Sequence, residues 1–249
     1  MTFDPIQSIL IFGCVFAPLE LLWPAQHRPK LNWQRYRTDL MHTIIGGYAI
    51  RLGTAAALTT FIAATGIWGS AHELPLWVEL IAILLISDFV FWIAHRLFHA
   101  IPLLWKFHKI HHSSEHLDWL AAYRVHPVDQ IANATIIAAP ALLFGFSSLA
   151  VLLYGLAYHW HAIFLHSNVK AGLGPFKRIL TTPKFHHWHH ANQQAAHDKN
   201  FGGQLVVWDR IFGTAKLEDE YPQKYGIEDP LPENFLTHIF EPFGLWRNK

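Results

Sequence analysis

Four long apolar stretches in a chain of 249 residues leave few folds open. Within a lipid bilayer every backbone polar group must be satisfied inside the protein, so spanning segments are helices or closed barrels. A spanning helix needs about 20 predominantly apolar residues, and these stretches have that order of length. The first runs from about Ile6 to Trp23 and is interrupted by Pro18 and Glu20. No basic residue precedes it and no small-residue cleavage site follows, so it reads as an anchor and not as a removable leader. The second runs from about Leu40 to Trp68 with Arg51 inside it, and the third from about Leu76 to Ala94 with Asp88 near its end. The fourth, from about Ile131 to Phe164, is too long for one crossing. It breaks at Phe144-Gly145-Phe146-Ser147-Ser148, which predicts two helices in a hairpin. The expected fold is all-α: a polytopic membrane helix bundle with a cytosolic histidine-rich helical cap, one unit over residues 1–249.

Composition agrees. Hydrophobic residues make up 52% and charged residues only 15%, where a soluble domain carries about 25% charged residues. Mean hydropathy is only +0.18, so part of the chain sits in water. The net charge of +1 gives no field for nucleic acid, and the lone Cys14 excludes a disulfide framework or a thiolate metal site. Orientation follows from where Lys and Arg gather. Arg28, Lys30, Arg35 and Arg37 lie between the first two spans, and Arg96, Lys106, Lys109 and Arg124 follow the third. Lys170, Lys177, Arg178 and Lys184 follow the fourth, whereas the Gly69–Pro75 loop has no basic residue. One topology satisfies these positions, with every histidine cluster on the cytoplasmic face. The prolines at 222, 230, 232 and 242 predict an irregular tail over 215–249.

Histidine is the outlier: 15 of the 19 fall between His95 and His197. His95-x3-His99 ends the third span, and residues at i and i+4 share a helix face. His108-x2-His111-His112 and His186-x2-His189-His190 each place three rings on one face. Thr182-Pro183 reads as a helix start ahead of the last cluster. An isolated pair of this kind is as readily an interfacial feature as a ligand pair. Two three-ring faces beside it favour metal, since imidazole suits zinc, copper, iron and nickel. Eight imidazoles exceed what one first-row ion takes. No Glu stands in a His-Glu-x-x-His frame, which a zinc hydrolase of that type needs.

In that order and context the motifs resemble the fatty acid hydroxylase and sterol desaturase superfamily. The shared context includes Asp88, Arg124-Val-His126-Pro127, Phe164-Leu-His166-Ser-Asn168, Asp198-Lys-Asn200-Phe201-Gly202 and Trp208-Asp209-Arg210-Ile-Phe212-Gly213-Thr214. The likeness runs roughly from Leu76 to Thr214. It implies two iron ions held by histidines and fed electrons by a separate carrier of cytochrome b5 or ferredoxin type. The reaction implied is hydroxylation or desaturation of an apolar lipid-like substrate with dioxygen. The eight motif histidines carry over as ligands (His95, His99, His108, His111, His112, His186, His189, His190), with His166 as a ninth. Some relatives have a further histidine four residues before that position. Here Ala162 stands there, with His159 and His161 close by.

Asp88, seven residues before His95 on the same face, is expected to accept a proton from a ligand imidazole; the competing reading is a salt bridge to Arg51 or Arg96. His126, His161, Asp198 and Asn200 are expected to brace ligands in the same way, Asp198 above all. His187 points off its neighbours' face and reads as structural or surface. A membrane zinc-type hydrolase and a metal transporter or sensor are the competing functions, though transporters place their ligands mid-membrane. The sequence shows neither a dinucleotide fingerprint nor an iron–sulfur cysteine set. The short chain is compatible with a bacterial inner membrane.

Overall fold

A computed structural model describes residues 4–27, 32–65 and 74–245. Arg28, Lys30, His72, Trp68 and most of the Gly69–Pro75 loop lie outside the described residues. Among these residues the regular structure is helical, with only isolated bridges such as Leu180 to Leu205 and Ala191 to Tyr225. Among the described residues five helices are long and apolar enough to cross a membrane.

Helix α1 covers Pro5–Leu22, with Asp4 as N-cap and Pro5 at the first position. Its apolar face, Phe12 and Phe16, packs on Ile163 and Val169. Pro18 and Glu20 do not end the helix. Glu20 is buried at the C-terminal turn, where it accepts N–H bonds from Trp119 (2.8 Å) and Asn168 (3.0 Å). The second span starts earlier than its apolar run. Helix α2 (Trp33–Met41) passes through a π-turn at His42–Gly46 into α3 (Gly47–Thr65) without a break. At about 1.5 Å per residue this rod is roughly 48 Å long, more than the ~30 Å hydrocarbon core. Some of it must therefore stand outside the lipid, and its polar first turns suit that place, with Arg35 paired to Asp118 at 2.7 Å.

Helix α4 (Leu76–Ala100) carries His95 and His99 in its last turns. Helix α5 (Pro102–His112) follows after a single residue. Helices α6 (Pro127–Phe144) and α7 (Ser148–His166) form the predicted hairpin. Gly145 adopts φ +68° and stops α6, and the Ser147 hydroxyl caps α7. Buried Glu79, at the start of α4, accepts the Ser147 N–H at 2.9 Å and ties down the hairpin tip. Helix α8 (Pro183–His189) starts as expected, Thr182 accepting the Phe185 N–H at 3.2 Å. Two short helices close the chain, α9 (Val207–Ile211) and α10 (Phe235–Phe240).

Alternating directions bring one end of each long helix to a common level: the C-terminal ends of α1, α4 and α7, and the N-terminal ends of α2 and α6. The cap is built there. Among its described residues the tail beyond 215 holds one short α-helix, α10, and side chains tie it to the bundle. Glu233 grips Arg124, His238 meets His42, and Glu241 pairs with Lys109.

Candidate metal centre

The nine expected ligand histidines converge. They form two groups: His95, His99, His108, His112 and His189 in one, His111, His166, His186 and His190 in the other. Within each group the donor nitrogens lie within 4.8 Å of one another. Helices α5 and α8 serve both groups, so the His-x2-His-His spacing splits the rings of one helix between two neighbouring centres.

Hydrogen bonds set which nitrogen faces inward. Nδ1–H of His95 donates to the Phe201 carbonyl (2.8 Å) and that of His108 to the Asp129 carboxylate (2.9 Å). Nδ1–H of His111, His166 and His189 donates to the carbonyls of Arg124, Ala162 and Lys199. Each such bond leaves Nε2 as a lone pair aimed into its group. The Nε2 atoms of His95 and His108 then face each other at 3.1 Å, and those of His111 and His166 also at 3.1 Å.

Two neutral imidazole lone pairs at that separation repel. A proton between His111 and His166 is disfavoured. Burial, and then the neighbouring imidazoles, hold His111, His112, His186, His189 and His190 well below the usual histidine pKa. A cation relieves the repulsion: nitrogens about 2.1 Å from one ion, near right angles, are about 3 Å apart. Buried Nε2 atoms of His99, His112 and His189 have no hydrogen-bond partner either, and a buried unsatisfied group of this kind calls for an ion or water. The residues fit metal.

The bracing differs from expectation. Asp88 accepts no imidazole proton and pairs with neither Arg51 nor Arg96. Its oxygens take the backbone N–H groups of Gln204 (2.6 Å) and Leu205 (3.0 Å), pinning the loop beyond Phe201. His126 caps α6: Nδ1 accepts from the Val128 N–H and Nε2–H donates to the Ile239 carbonyl. His161 meets Gln204 Oε1 at 2.8 Å and the Thr181 carbonyl at 3.1 Å. Asp198 is exposed, and the carbonyl beside it, from Lys199, takes the His189 proton. Asn200, at φ +60°, sits between the two carbonyls that hold His189 and His95. Its side chain ties that turn to the Phe185 and Lys216 carbonyls. His187 is fully buried against the Tyr225 hydroxyl at 2.9 Å, so the surface reading of it is wrong.

Sequence reasoning missed Asp129, the carboxylate on His108, although it stands three residues after His126 in the first turn of α6. It also missed Asp209 as a loop clamp. That carboxylate accepts from the N–H groups of Phe201 (2.9 Å) and Gly202 (2.7 Å) and from Trp92 Nε1 (3.1 Å). Gly202 has to be glycine, because a Cβ there falls 2.4 Å from the Leu205 carbonyl oxygen.

Two cavities reach the histidines from different sides. One, of about 190 Å³, runs between α1, α3, α6 and α7 and is lined by His95, His108, His111, His166 and His186. The other, of about 450 Å³, is polar and meets only the five-histidine group, at His99, His112 and His189.

A multi-pass helical membrane protein with imidazoles gathered at one end of its bundle is the class this fold and site define. The chain belongs to the fatty acid hydroxylase family, which residues 80–214, over half its length, match. It is 28% identical over 237 residues to the ornithine lipid hydroxylase of Rhizobium tropici, covering 91% of this chain and 70% of that one. It is 29% identical over 240 residues to the alkylglycerol monooxygenase of Danio rerio, covering 94% of this chain and 50% of the relative. The human alkylglycerol monooxygenase is 36% identical over 163 residues, 64% of this chain and 36% of its own. The chain thus spans half or less of the alkylglycerol monooxygenases it matches. No solved structure matches it. Family and relatives make it a membrane oxidoreductase.

Proposed function

We propose that the chain hydroxylates an unactivated C–H bond of a lipid with dioxygen, at two iron ions held by the nine histidines. The supporting observation is the pair of imidazole groups, lone pairs turned inward, set at the inner end of a largely apolar cavity. The overall balance is RH + O2 + 2 e⁻ + 2 H⁺ → ROH + H2O. Iron, when bound, supplies the dioxygen reduction that side chains cannot. The protein's residues do the rest. The carbonyls of Phe201, Lys199, Arg124 and Ala162 fix ring orientation, and Asp129 adds a carboxylate on the ring of His108. Such hydrogen bonds raise the basicity of the ligating nitrogen. The narrow cavity holds the apolar tail and excludes water. Electrons come from a separate one-electron carrier of cytochrome b5 or ferredoxin type. The positions of Lys and Arg support a cytoplasmic histidine face.

Protein produced in zinc-depleted medium, analysed for metal and assayed for oxygen uptake with mass analysis of extracted lipid, tests this reading. Two equivalents of iron and a lipid mass gain of 16 are expected. Two equivalents of zinc with hydrolysed lipid and no oxygen uptake would sink it, and a mass loss of 2 would move the reaction to desaturation.

A further inference from the structure

The apolar cavity has one charged gate. Of the residues lining it, Arg51 alone is exposed; every other is buried or partly buried. Its place in the sequence is unusual, inside the apolar run of α3. An ionisable residue within a span carries a cost that function usually explains. Arg51 lies four residues beyond Gly47 and eight beyond Thr43, and all three line the cavity. One face of the second span therefore leads from the opening inward.

The Arg51 guanidinium is lightly engaged. Among the described residues its ion pair is with Asp4, at 3.9 Å, the longest of the described Arg and Lys ion pairs. Asp4 is already committed: Oδ1 accepts the Ile6 N–H at 3.0 Å and Oδ2 the Tyr48 hydroxyl at 2.9 Å. A guanidinium offers five N–H donors in a fixed fork that matches a carboxylate or phosphate two oxygens at a time. Arg35 and Arg124 spend theirs on buried carboxylates of the cap. Arg51, with its side chain 42% exposed, keeps donors for something outside.

We propose that Arg51 binds the anionic headgroup, carboxylate or phosphate, of the lipid whose tail enters the cavity, and so selects a lipid with an acidic head over a neutral one. This deepens the lipid-oxidation reading and names the substrate class. Asp4, itself held by the Tyr48 hydroxyl, keeps the guanidinium at the opening until a headgroup replaces the long contact.

The test is binding without turnover, so failure of the oxygen chemistry leaves it readable. Metal-loaded protein in detergent, kept anaerobic, is titrated by intrinsic tryptophan fluorescence. The four probes are palmitate, palmitoyl lysophosphatidic acid, monopalmitoylglycerol and inorganic phosphate. At least one of the two acidic lipids is expected to bind tenfold or more tighter than monopalmitoylglycerol. Inorganic phosphate, lacking a tail, is expected to bind weakly. Arg51→Gln should erase the preference while leaving the affinity for monopalmitoylglycerol and the metal content unchanged, and Arg51→Lys should keep part of it. Asp4→Asn retains the helix cap and removes the competing charge, so it should tighten acidic-lipid binding; this variant carries the test if Arg51→Gln fails to fold. An equal preference in Arg51→Gln and the parent overturns the proposal. So do equal affinities for acidic and neutral lipids in the parent, or no tightening in Asp4→Asn.

Discussion

The two histidine groups share helices α5 and α8 and yet differ in what reaches them. His99, His112 and His189, all in the five-membered group, border the polar cavity. The apolar cavity borders both groups, at His95 and His108 of the five-membered one and at His111, His166 and His186 of the four-membered one. Bracing differs as well. The five-histidine group has a carboxylate behind His108, whereas the described braces of the four-histidine group are the neutral carbonyls of Arg124 and Ala162. One centre thus has more ligands, a nearby negative charge and access to water. The other has fewer ligands and, of the two cavities, meets only the apolar one, which the groups share. That inequality tells which substitutions should hurt most.

The largest effect is expected where ligands are fewest. His186→Ala leaves three imidazoles in its group, so it should lose about one equivalent of metal and all measurable activity. His112→Ala leaves four, and should keep metal at reduced affinity. Metal analysis after gel filtration reads the difference. If both variants retain two equivalents, or both lose the same amount, the two groups are not separate centres of unequal strength. Asp129→Asn comes next. It keeps the shape but removes the charge behind His108, and loss of such an outer partner costs roughly 10–100-fold in metal affinity. The loss should fall on one equivalent only; equal weakening of both would break the asymmetry.

What the sequence could and could not tell follows the same physical line. The hairpin break at Phe144–Ser148 was readable because Gly145 and Ser147 are residues that stop and cap helices. Eight of the histidines were readable because imidazole has few reasons to cluster at helical spacing, and the ninth, His166, came only from the family resemblance. The braces were mostly hidden, because four of them are backbone carbonyls, which any residue carries. Asp88 was placed on the right face and given the wrong partner. Helical phase says which way a carboxylate points, not whether a loop more than a hundred residues later arrives to fill it. The early start of α2 was hidden for a related reason. Trp33–Met41 is polar, and its helix is anchored by cap contacts such as Arg35 with Asp118.

The loop that arrives at Asp88 gives a smaller effect. Gly202→Ala forces a Cβ against the Leu205 carbonyl and the Asp209 carboxylate, so the turn bearing the Phe201 and Lys199 carbonyls must shift. Both carbonyls hold rings of the five-histidine group, His95 and His189. Metal should weaken in that group by several-fold, with the four-histidine group spared. Sequential metal removal by a water-soluble chelator separates the two losses. A uniform loss would mean the loop supports the whole cap.

The smallest effect belongs to His187, which lies inside the last histidine cluster in sequence but joins neither group. Burial holds its pKa down at about 3, so it is neutral in the folded protein across the ordinary range. In the unfolded chain a histidine takes up its proton near pH 6.5. The unfolded state therefore binds more protons between about pH 6.5 and 3, and the parent loses stability as pH falls through that window, by up to ~1.4 kcal/mol per pH unit for one such group. Gln at this position carries no proton to lose. His187→Gln should keep both metal equivalents when loaded. Breaking the bond to Tyr225 should lower its stability at pH 7 by about 1–3 kcal/mol. The deficit should then shrink toward pH 5, because only the parent is penalised by acid. Thermal unfolding of the two metal-free proteins in detergent, at pH 7, 6 and 5, measures it. Parallel curves would mean that His187 does not titrate on unfolding, and a lost metal equivalent would mean that it belongs to the centre after all.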